Sequence, residues 1–145
     1  MEHLLEDLPE RIETEHLILR MPRGSDAAAL NKAVCESIDE LRVYMPWAQA
    51  APSVVQSGAD CRRMQAKFLL RDDLVMFMFE QRADGGEGEF IGGTGLHRID
   101  WQVRRFELGY WCRTRCRGKG YVTESSRALT RFAFDQLQAR RVEVR

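Results

Sequence analysis

The sequence has no surplus of charge of either sign. Its 22 lysines and arginines are matched by 22 aspartates and glutamates, so the formal net charge at neutral pH is zero. Proteins that bind nucleic acid or an anionic membrane through bulk charge carry a positive surplus. We therefore expect no nucleic-acid partner and no membrane partner, and any anion site has to come from a local cluster of basic residues.

Long apolar runs are also missing. No apolar run approaches the roughly 18 residues of a membrane-spanning helix. Residues 1–8 are acidic, and they lack the apolar stretch of a secretory signal. We therefore expect a cytoplasmic protein.

Cysteines are few and irregularly spaced, at Cys35, Cys61, Cys112 and Cys116. A chain of this size with such spacing does not resemble a secreted disulfide framework, so we expect reduced thiols. Cys112 and Cys116 could form half of a metal site, but no nearby pair of His or Cys completes it. We therefore expect no bound metal.

The length and the apolar share, 145 residues and 44%, fit one domain with one hydrophobic core. The hydrophobic pattern predicts a mixed, mainly antiparallel α+β fold. Its predicted elements are a strand at 16–21, a helix capped by Ser25 or Asp26, a short helix at 37–44, a helix from Ser53 to about Arg71, a meander of strands at 74–79, 90–97 and 106–111, a helix from Tyr121 to about Ala139, and a strand beginning at Val142.

The end of the chain is unusual. Residues 142–144 alternate like the start of a strand, and no turn, cap or tail signal follows before Arg145. We therefore expect one domain over residues 1–145 that is incomplete after the start of this strand, or whose missing edge something else supplies.

Three glycines, Gly92, Gly93 and Gly95, lie within the middle strand of the meander. Glycine weakens a strand, so this pattern indicates a bulge or a close approach of the backbone to another group. Packing of a helix against the strand is the alternative.

The run Arg115-Cys116-Arg117-Gly118-Lys119-Gly120 lies between the last strand of the meander and the next helix. The first backbone N–H groups of a helix have no partner within it, and the helix dipole places partial positive charge there. Glycine lets the backbone approach a ligand closely, and arginine can bind phosphate oxygens in pairs. The run therefore predicts a phosphate-binding loop.

The familiar nucleotide loops do not fit this run. It lacks the Gly-Lys-Ser/Thr ending of a Walker loop and the third glycine of a dinucleotide fingerprint, and it follows an antiparallel meander. ATP and NAD are therefore poor candidates. A basic surface turn with glycine caps is the alternative that the loop alone leaves open.

The spacing Arg115-x-x-Gly118-x-Gly120 matches the Q/R-x-x-G-x-G/A signature with which GNAT acyltransferases hold the pyrophosphate of acetyl-CoA. Four further segments resemble, in order, the Rim-type branch of that superfamily, which includes ribosomal-protein N-terminal acetyltransferases. They are residues 14–20, 45–47, 91–96 and 107–111. The resemblance covers nearly the whole chain.

The resemblance implies a GNAT-type fold that lacks its last strands, and acetyl-CoA as cosubstrate. It implies that the backbone of residues 116–121 surrounds the pyrophosphate, and that the end of the preceding strand pairs with the pantetheine arm. The implied cosubstrate-binding residues are Trp111, Cys112, Arg113, Arg115, Cys116, Arg117, Gly118, Lys119, Gly120 and Tyr121.

The resemblance also implies direct attack of a primary amine on the thioester. Glu107 is the first candidate for the general base and His97 the second. Glu107 could instead pair with Arg104, Arg105 or Arg20, and His97 could be a hydrogen-bonded strand residue. Glu124 and Ser125, in the first turn of a helix, are expected to stabilise its N-terminus.

The sequence does not identify the amine that accepts the acetyl group. Relatives in this branch use a ribosomal-protein N-terminus, a free amino acid or a small amine. Met45 and Trp47 could wall the acceptor site, or simply pack. The family suggests a homodimer. A non-catalytic CoA-binding or interaction module on the same scaffold is the alternative function, with a nucleic-acid-binding domain the weakest.

Overall fold

The structure, a computed structural model, describes residues 2–144. Within this range, four helices and six strands follow one another, apart from short 3₁₀ turns. The helices are α1 (Ala27–Glu36), α2 (Ile38–Tyr44), α3 (Val54–Leu69) and α4 (Tyr121–Asp135), and the strands are β1 (Arg11–Glu13), β2 (Leu17–Arg20), β3 (Leu74–Gln81), β4 (Glu87–Asp100), β5 (Arg105–Cys112) and β6 (Arg141–Val144).

All six strands form one sheet in the order β1-β2-β3-β4-β5-β6. Every neighbouring pair is antiparallel except β5 and β6, which are parallel. A parallel pair needs a crossover, and α4 supplies it. The predicted α+β fold, its antiparallel meander and the strand beginning at Val142 are confirmed.

The sheet separates two hydrophobic clusters. One includes Phe106, Leu108 and the buried side chains of α4, and the other includes Phe77, Phe90 and the buried side chains of α1 and α2. Because side chains alternate along a strand, β5 directs Phe106 and Leu108 to the α4 side. Glu107, Gly109 and Trp111 therefore belong to the opposite face, which α1 and α2 share.

Local signals located most helix starts correctly. The Ser53 hydroxyl accepts a hydrogen bond from the Gln56 amide, at 3.1 Å, and caps α3 as predicted. Asp26 is the N-cap residue of α1, one of the two predicted positions, but its side chain makes no cap hydrogen bond there. It accepts instead from the Arg23 amide and from the buried Arg20 guanidinium, because an arginine buried next to it needs a paired anion.

Two boundaries differ from the sequence-based prediction. Strand β1 was not predicted, because three residues carry too little periodicity. Helix α4 ends at Asp135, four residues before the predicted end at Ala139. Gln138 adopts φ of +53°, and the Ala139 amide donates to the Ala133 carbonyl, so the chain turns toward β6.

None of the helices within residues 2–144 is long and apolar enough to cross a membrane. The four cysteines are free thiols. Over the same residues, no group of three or more His, Cys, Asp or Glu side chains could hold a metal ion.

Candidate functional site

The loop between β5 and α4 has two glycines with left-handed backbone conformation. Gly118 has φ of +77° and Gly120 has φ of +80°, and Gly120 is the N-cap residue of α4. A Cβ atom added at either position would meet nothing within 4 Å. Backbone conformation, and not crowding, therefore requires glycine here, and the space in front of the helix is open.

The loop has a run of backbone amides without acceptors. The first amide of α4 with a helical acceptor is that of Glu124, which donates to Gly120 O at 3.0 Å. Among the described residues, the amides of residues 118–123 donate to no other group. Six N–H groups beside a helix N-terminus make an anion-binding cradle.

The cradle begins later than the sequence predicts. The Cys116 amide donates to Arg113 O at 2.9 Å, and the Arg117 amide donates to Thr114 O at 3.3 Å. Both belong to a 3₁₀ turn at Thr114–Cys116. The expectation that the backbone from Cys116 onward surrounds the phosphate is therefore corrected: those two amides are already used, and the cradle starts at Gly118.

The basic residues of the loop are mostly paired. Arg115 lies 2.8 Å from Glu89, and Arg117 lies 2.7 Å from Glu40. Lys119 makes no ion pair with any residue from 2 to 144. The local basic surplus seen in the sequence is thus largely neutralised by acids from distant segments, and Lys119 is the loop cation left for a ligand.

Arg113 is buried, with 4% of its surface exposed. Its guanidinium pairs with Glu36 at the end of α1 and with Glu89, and it donates to Phe90 O at 2.9 Å. Its amide donates to Ile91 O at 2.9 Å. The guanidinium and the amide of Arg113, which was expected to bind the cosubstrate, therefore hold the loop to α1 and β4.

A cleft of about 620 Å³ lies next to the end of β5, lined among others by Tyr110, Thr123, Arg127 and Val144. Strand β6 pairs with residues 105–108 of β5. Within residues 2–144, no strand covers the same edge at residues 109–112. This open edge carries Trp111 and Cys112 and leads toward the amide cradle.

The thiols near the loop are poor nucleophiles. Burial raises the pKa of Cys112 to about 11, and burial also raises the pKa of Cys116. Cys116 is buried in the core that α4 covers. Both thiols are therefore protonated at neutral pH, and neither has the environment of a reactive cysteine.

A second cleft, of about 720 Å³, lies on the other side of α4 and is lined by Gly120, Glu124 and Thr14 among others. Glu124 accepts hydrogen bonds from Thr14 Oγ1 and from the His16 amide, and it contacts His16 Nδ1 at 2.7 Å. Burial opposes the charge, but these hydrogen bonds outweigh it and lower the pKa of Glu124. Glu124 lies in the first turn of α4 as predicted, and its side chain also attaches the helix to the segment that precedes β2.

Ser125 and Tyr121 are also engaged within the protein. The buried Ser125 hydroxyl donates to Val122 O at 3.1 Å, so it does not cap the helix as expected. The Tyr121 hydroxyl lies 3.5 Å from a Glu80 carboxylate oxygen, and burial raises the pKa of this phenol. Among the residues predicted to bind the cosubstrate, Tyr121 contributes an amide without an acceptor.

His97 lies in β4 and forms a close pair with Asp73, a residue that the sequence did not single out. The distance from His97 Nδ1 to Asp73 Oδ1 is 2.5 Å, and about 30% of each side chain is exposed. Gly109 makes room for the imidazole, because a Cβ there would lie 2.9 Å from His97 Cδ2. A Cβ at Gly95 would first meet the backbone of β3, at 2.5 Å from Leu74 O, and a Cβ at Gly93 would meet the Trp111 ring at 2.4 Å. The glycines of β4 therefore mark close approaches of its backbone to other groups.

Glu107 lies directly opposite His97 in the β4–β5 register. Its side chain is 15% exposed, and its carboxylate lies 4.0 Å from Arg98 Nε. Two of the partners considered for it have other acids beside them: Arg20 binds Asp26 and Glu87, and Arg104 binds Glu6. The two candidate bases are thus neighbours on the sheet face opposite α4.

Trp111 belongs to the same face and contacts Trp47, which follows α2. Their ring centroids are 5.7 Å apart in an edge-to-face arrangement, and Trp47 is 54% exposed. The segment after α2 therefore does reach the end of β5. A partly exposed aromatic wall and the two candidate bases therefore lie on one face of the sheet, and the open edge of β5 borders that face.

Comparisons with known proteins agree with this arrangement. YdaF of Bacillus subtilis (strain 168), named as a ribosomal N-acetyltransferase, is 26% identical over 133 residues, which are 90% of this chain and 68% of that protein. RimL, a ribosomal-protein alpha-N acetyltransferase solved in complex with coenzyme A, superimposes with a TM-score of 0.83 at 20% identity, covering 93% of this chain and 73% of that chain. MccE, a microcin C7 self-immunity acetyltransferase solved with acetyl-CoA and AMP, superimposes with a TM-score of 0.76 at 17% identity. The superposition covers 90% of this chain and 69% of the MccE chain.

The two structural likenesses establish the fold, and the family match establishes membership. The family described as acetyltransferase (GNAT) domain matches residues 16–145. Since that match extends over most of the chain, the protein belongs to the acetyltransferase (GNAT) family, whose members are acetyl-CoA-dependent N-acetyltransferases.

Proposed function

We propose that this protein transfers the acetyl group of acetyl-CoA to a primary amine, and that the acceptor is the α-amine of a protein N-terminus. The observation that carries the proposal is the run of amides at residues 118–123, which lack acceptors within the described chain and lie beside the open edge of β5. Such a cradle suits a pyrophosphate, and such an edge suits an extended amide-bearing arm.

The chain offers different groups to different parts of the cosubstrate. The amides of residues 118–123 and the Lys119 side chain suit the pyrophosphate, since an ammonium adds charge without competing for the cradle. The free edge at residues 109–112 can exchange backbone hydrogen bonds with the pantetheine arm. In this proposal Arg113, Arg115 and Arg117 act through the position of the loop, because glutamates already neutralise them.

The face with His97, Glu107 and Trp111 suits an incoming amine. Only the neutral amine has a lone pair that can attack the thioester carbon. A protein α-amine has a pKa of about 7.7–8.0, whereas a lysine amine has about 10.4. An α-amine is therefore already partly neutral at pH 7, and a modest base on this face suffices.

The names of the relatives favour the same acceptor. YdaF is named as a ribosomal N-acetyltransferase, and RimL as an alpha-N acetyltransferase of a ribosomal protein. Their resemblance to this chain supports a protein N-terminus over a small amine. Cytoplasmic location, which we expect from the sequence, and a homodimer, which we expect from the family resemblance, belong to the same proposal.

The proposal is tested in two steps on the same preparation. Titration calorimetry with CoA measures binding, and mass spectrometry then measures acetylation of a peptide with a free N-terminus. A matched peptide with a blocked N-terminus and one internal lysine separates α-amine from side-chain transfer. We expect binding and transfer to the free N-terminus only.

Three results would change the proposal in different ways. Absence of CoA binding would remove the cradle assignment. Transfer to the lysine peptide alone would move the acceptor to side-chain amines. Binding of CoA without transfer to any amine would favour the non-catalytic CoA-binding module on this scaffold.

A further inference from the structure

The pair formed by Asp73 and His97 has the geometry of an oriented base. A carboxylate accepts hydrogen bonds, so the 2.5 Å contact fixes the hydrogen of a neutral imidazole on Nδ1. The lone pair is then on Nε2. The same arrangement, a carboxylate holding one ring nitrogen while the other takes a proton, defines the histidine of serine-protease triads.

The ring is also fixed by the backbone below it. A Cβ at Gly109 would lie 2.9 Å from His97 Cδ2 and 3.2 Å from Nε2, and a Cβ at Gly95 would lie 3.1 Å from Cε1. The imidazole therefore lies close against β4 and β5, and its Nε2 edge lies at Gly109. Any longer residue at Gly109 would displace this edge.

Gly109 is where the open edge of β5 begins. It lies two residues, or about 7 Å, before Trp111 on the same face of the sheet. An arm that leaves the cradle at residues 118–123 and pairs with β5 from Cys112 back to Gly109 ends beside the Nε2 edge of His97. The exposed part of the His97 side chain, 30%, leaves room for an amine to approach.

We propose that His97 is the general base of the acetyl transfer and that Asp73 is its positioning residue. This inference rests on the proposed function. The other charged groups near the ring are Glu107, opposite it in register, and Arg98, next to it in the chain and 4.0 Å from Glu107. The Asp73 carboxylate contacts the imidazole directly, at Nδ1.

The proton balance of the transfer is simple. The acceptor ammonium gives one proton to solvent and becomes a neutral amine. The nitrogen lone pair forms a bond to the thioester carbon, the C–S bond breaks, and the sulfur leaves with the bonding electrons as a thiolate. The second amine proton passes to His97 Nε2 and then to the thiolate, so an amide, a thiol and one released proton result.

The test is a double-mutant cycle on kcat with His97→Gln, Asp73→Asn and the double variant. We expect His97→Gln to lower kcat about 100-fold, the low end of what a general base contributes. Asp73→Asn should lower it by no more than His97→Gln does, because the ring loses only its fixed tautomer. The double variant should be no slower than His97→Gln, since Asp73 acts only through His97.

Two measurements separate this role from a structural one. CoA affinity and the KM for acetyl-CoA should stay unchanged in all three variants. Added imidazole should restore part of kcat in His97→Gly, where the missing ring leaves space beside Gly109. Asp60→Asn, an exposed carboxylate on α3 that pairs with Arg63, is the control and should retain full kcat.

The outcomes are distinguishable from failure of the proposed function. If the wild-type protein binds CoA and acetylates no amine, the proposed function fails before the base is tested. If the wild type is active and His97→Gln keeps the wild-type kcat, the inference about the pair is overturned while the proposed function stands. The same holds if the wild type is active and the effects of His97→Gln and Asp73→Asn on kcat multiply in the double variant. Lack of imidazole rescue would likewise count against His97 as the base.

Discussion

The two left-handed glycines of the loop provide the sharpest test of the cradle. Alanine at Gly118 or Gly120 adds a Cβ that meets no atom within 4 Å. The substitution therefore tests backbone conformation alone. We expect Gly118→Ala and Gly120→Ala each to weaken CoA binding.

The magnitude follows from the cost of the left-handed region for a residue with a Cβ, about 1–2 kcal/mol. If the loop of the alanine variant relaxes when no CoA is bound, binding has to restore the strained conformation. The free energy of CoA binding is then reduced by this amount. Since 1.4 kcal/mol is tenfold in a dissociation constant, CoA affinity should fall by about 5- to 30-fold. If the empty loop keeps its conformation, the same amount is lost from the free energy of unfolding instead.

Gly85 offers a matched control on the same molecule. It has φ of +82° and equally open space around a Cβ, but it lies in the turn between β3 and β4. Gly85→Ala should lower the free energy of unfolding by about 1–2 kcal/mol and leave CoA affinity unchanged. Denaturant unfolding measures the stability of all three variants, and titration calorimetry measures their affinity.

The reasoning is refuted by either of two results. One is equal loss of CoA affinity in Gly85→Ala and in the two loop variants, which would indicate a general effect of destabilisation. The other is wild-type affinity together with wild-type stability in Gly118→Ala and Gly120→Ala, because the strain has to appear in one of the two quantities.

Three further predictions concern charges and thiols. Lys119→Ala should weaken CoA binding more than Arg117→Ala and reduce its salt dependence, because the Arg117 charge is already paired; equal effects in calorimetry at two salt concentrations would contradict this. The contact of His16 with Glu124 should stabilise the fold most between about pH 4.5 and 6.5. The pKa of Glu124 is lowered, so its contribution to the free energy of unfolding is lost as the pH falls below 4.5 through that lowered pKa. The Glu124 hydrogen bond raises the pKa of His16, so the contribution of His16 is lost as the pH rises above 6.5 through that raised pKa. Unchanged pH dependence of unfolding in a His16→Asn variant would exclude this. Burial raises the pKa of Cys61 to about 11, so this thiol should resist iodoacetamide at pH 8 until the protein unfolds, and rapid labelling of the native protein, seen by mass spectrometry, would contradict its burial.

Local chemistry in the sequence located most of the fold. Ser53 begins α3 because its hydroxyl can accept from an amide three residues later, and that signal lies within four residues. The meander was visible from apolar runs separated by glycine-rich turns. The phosphate loop was visible for the same reason, since Gly118 and Gly120 are adjacent to the helix that they precede.

The sequence could not show which charges neutralise one another. Arg113 and Glu36 are 77 positions apart, and His97 and Asp73 are 24 apart. Periodicity reports which face of an element is apolar, but it does not report which elements meet. The basic residues before Gly118 therefore looked like an anion site, whereas folding brings three glutamates, Glu36, Glu40 and Glu89, to them.

These pairs connect the loop to the junction of α1 and α2. Glu36, Ser37 and Glu40 all lie at the junction of α1 and α2. They contact the segment 113–117 through two ion pairs and two hydrogen bonds, from the Thr114 amide to Ser37 Oγ at 3.1 Å and from the Thr114 hydroxyl to Glu40 at 3.2 Å. A shift of α1 and α2 would thus move the residues that precede the cradle. A rearrangement of the cradle would likewise displace these two helices. The free energy of coupling between two ligands is reciprocal. If an acceptor that displaces this junction changes the affinity for CoA by some factor, CoA therefore has to change the affinity for that acceptor by the same factor.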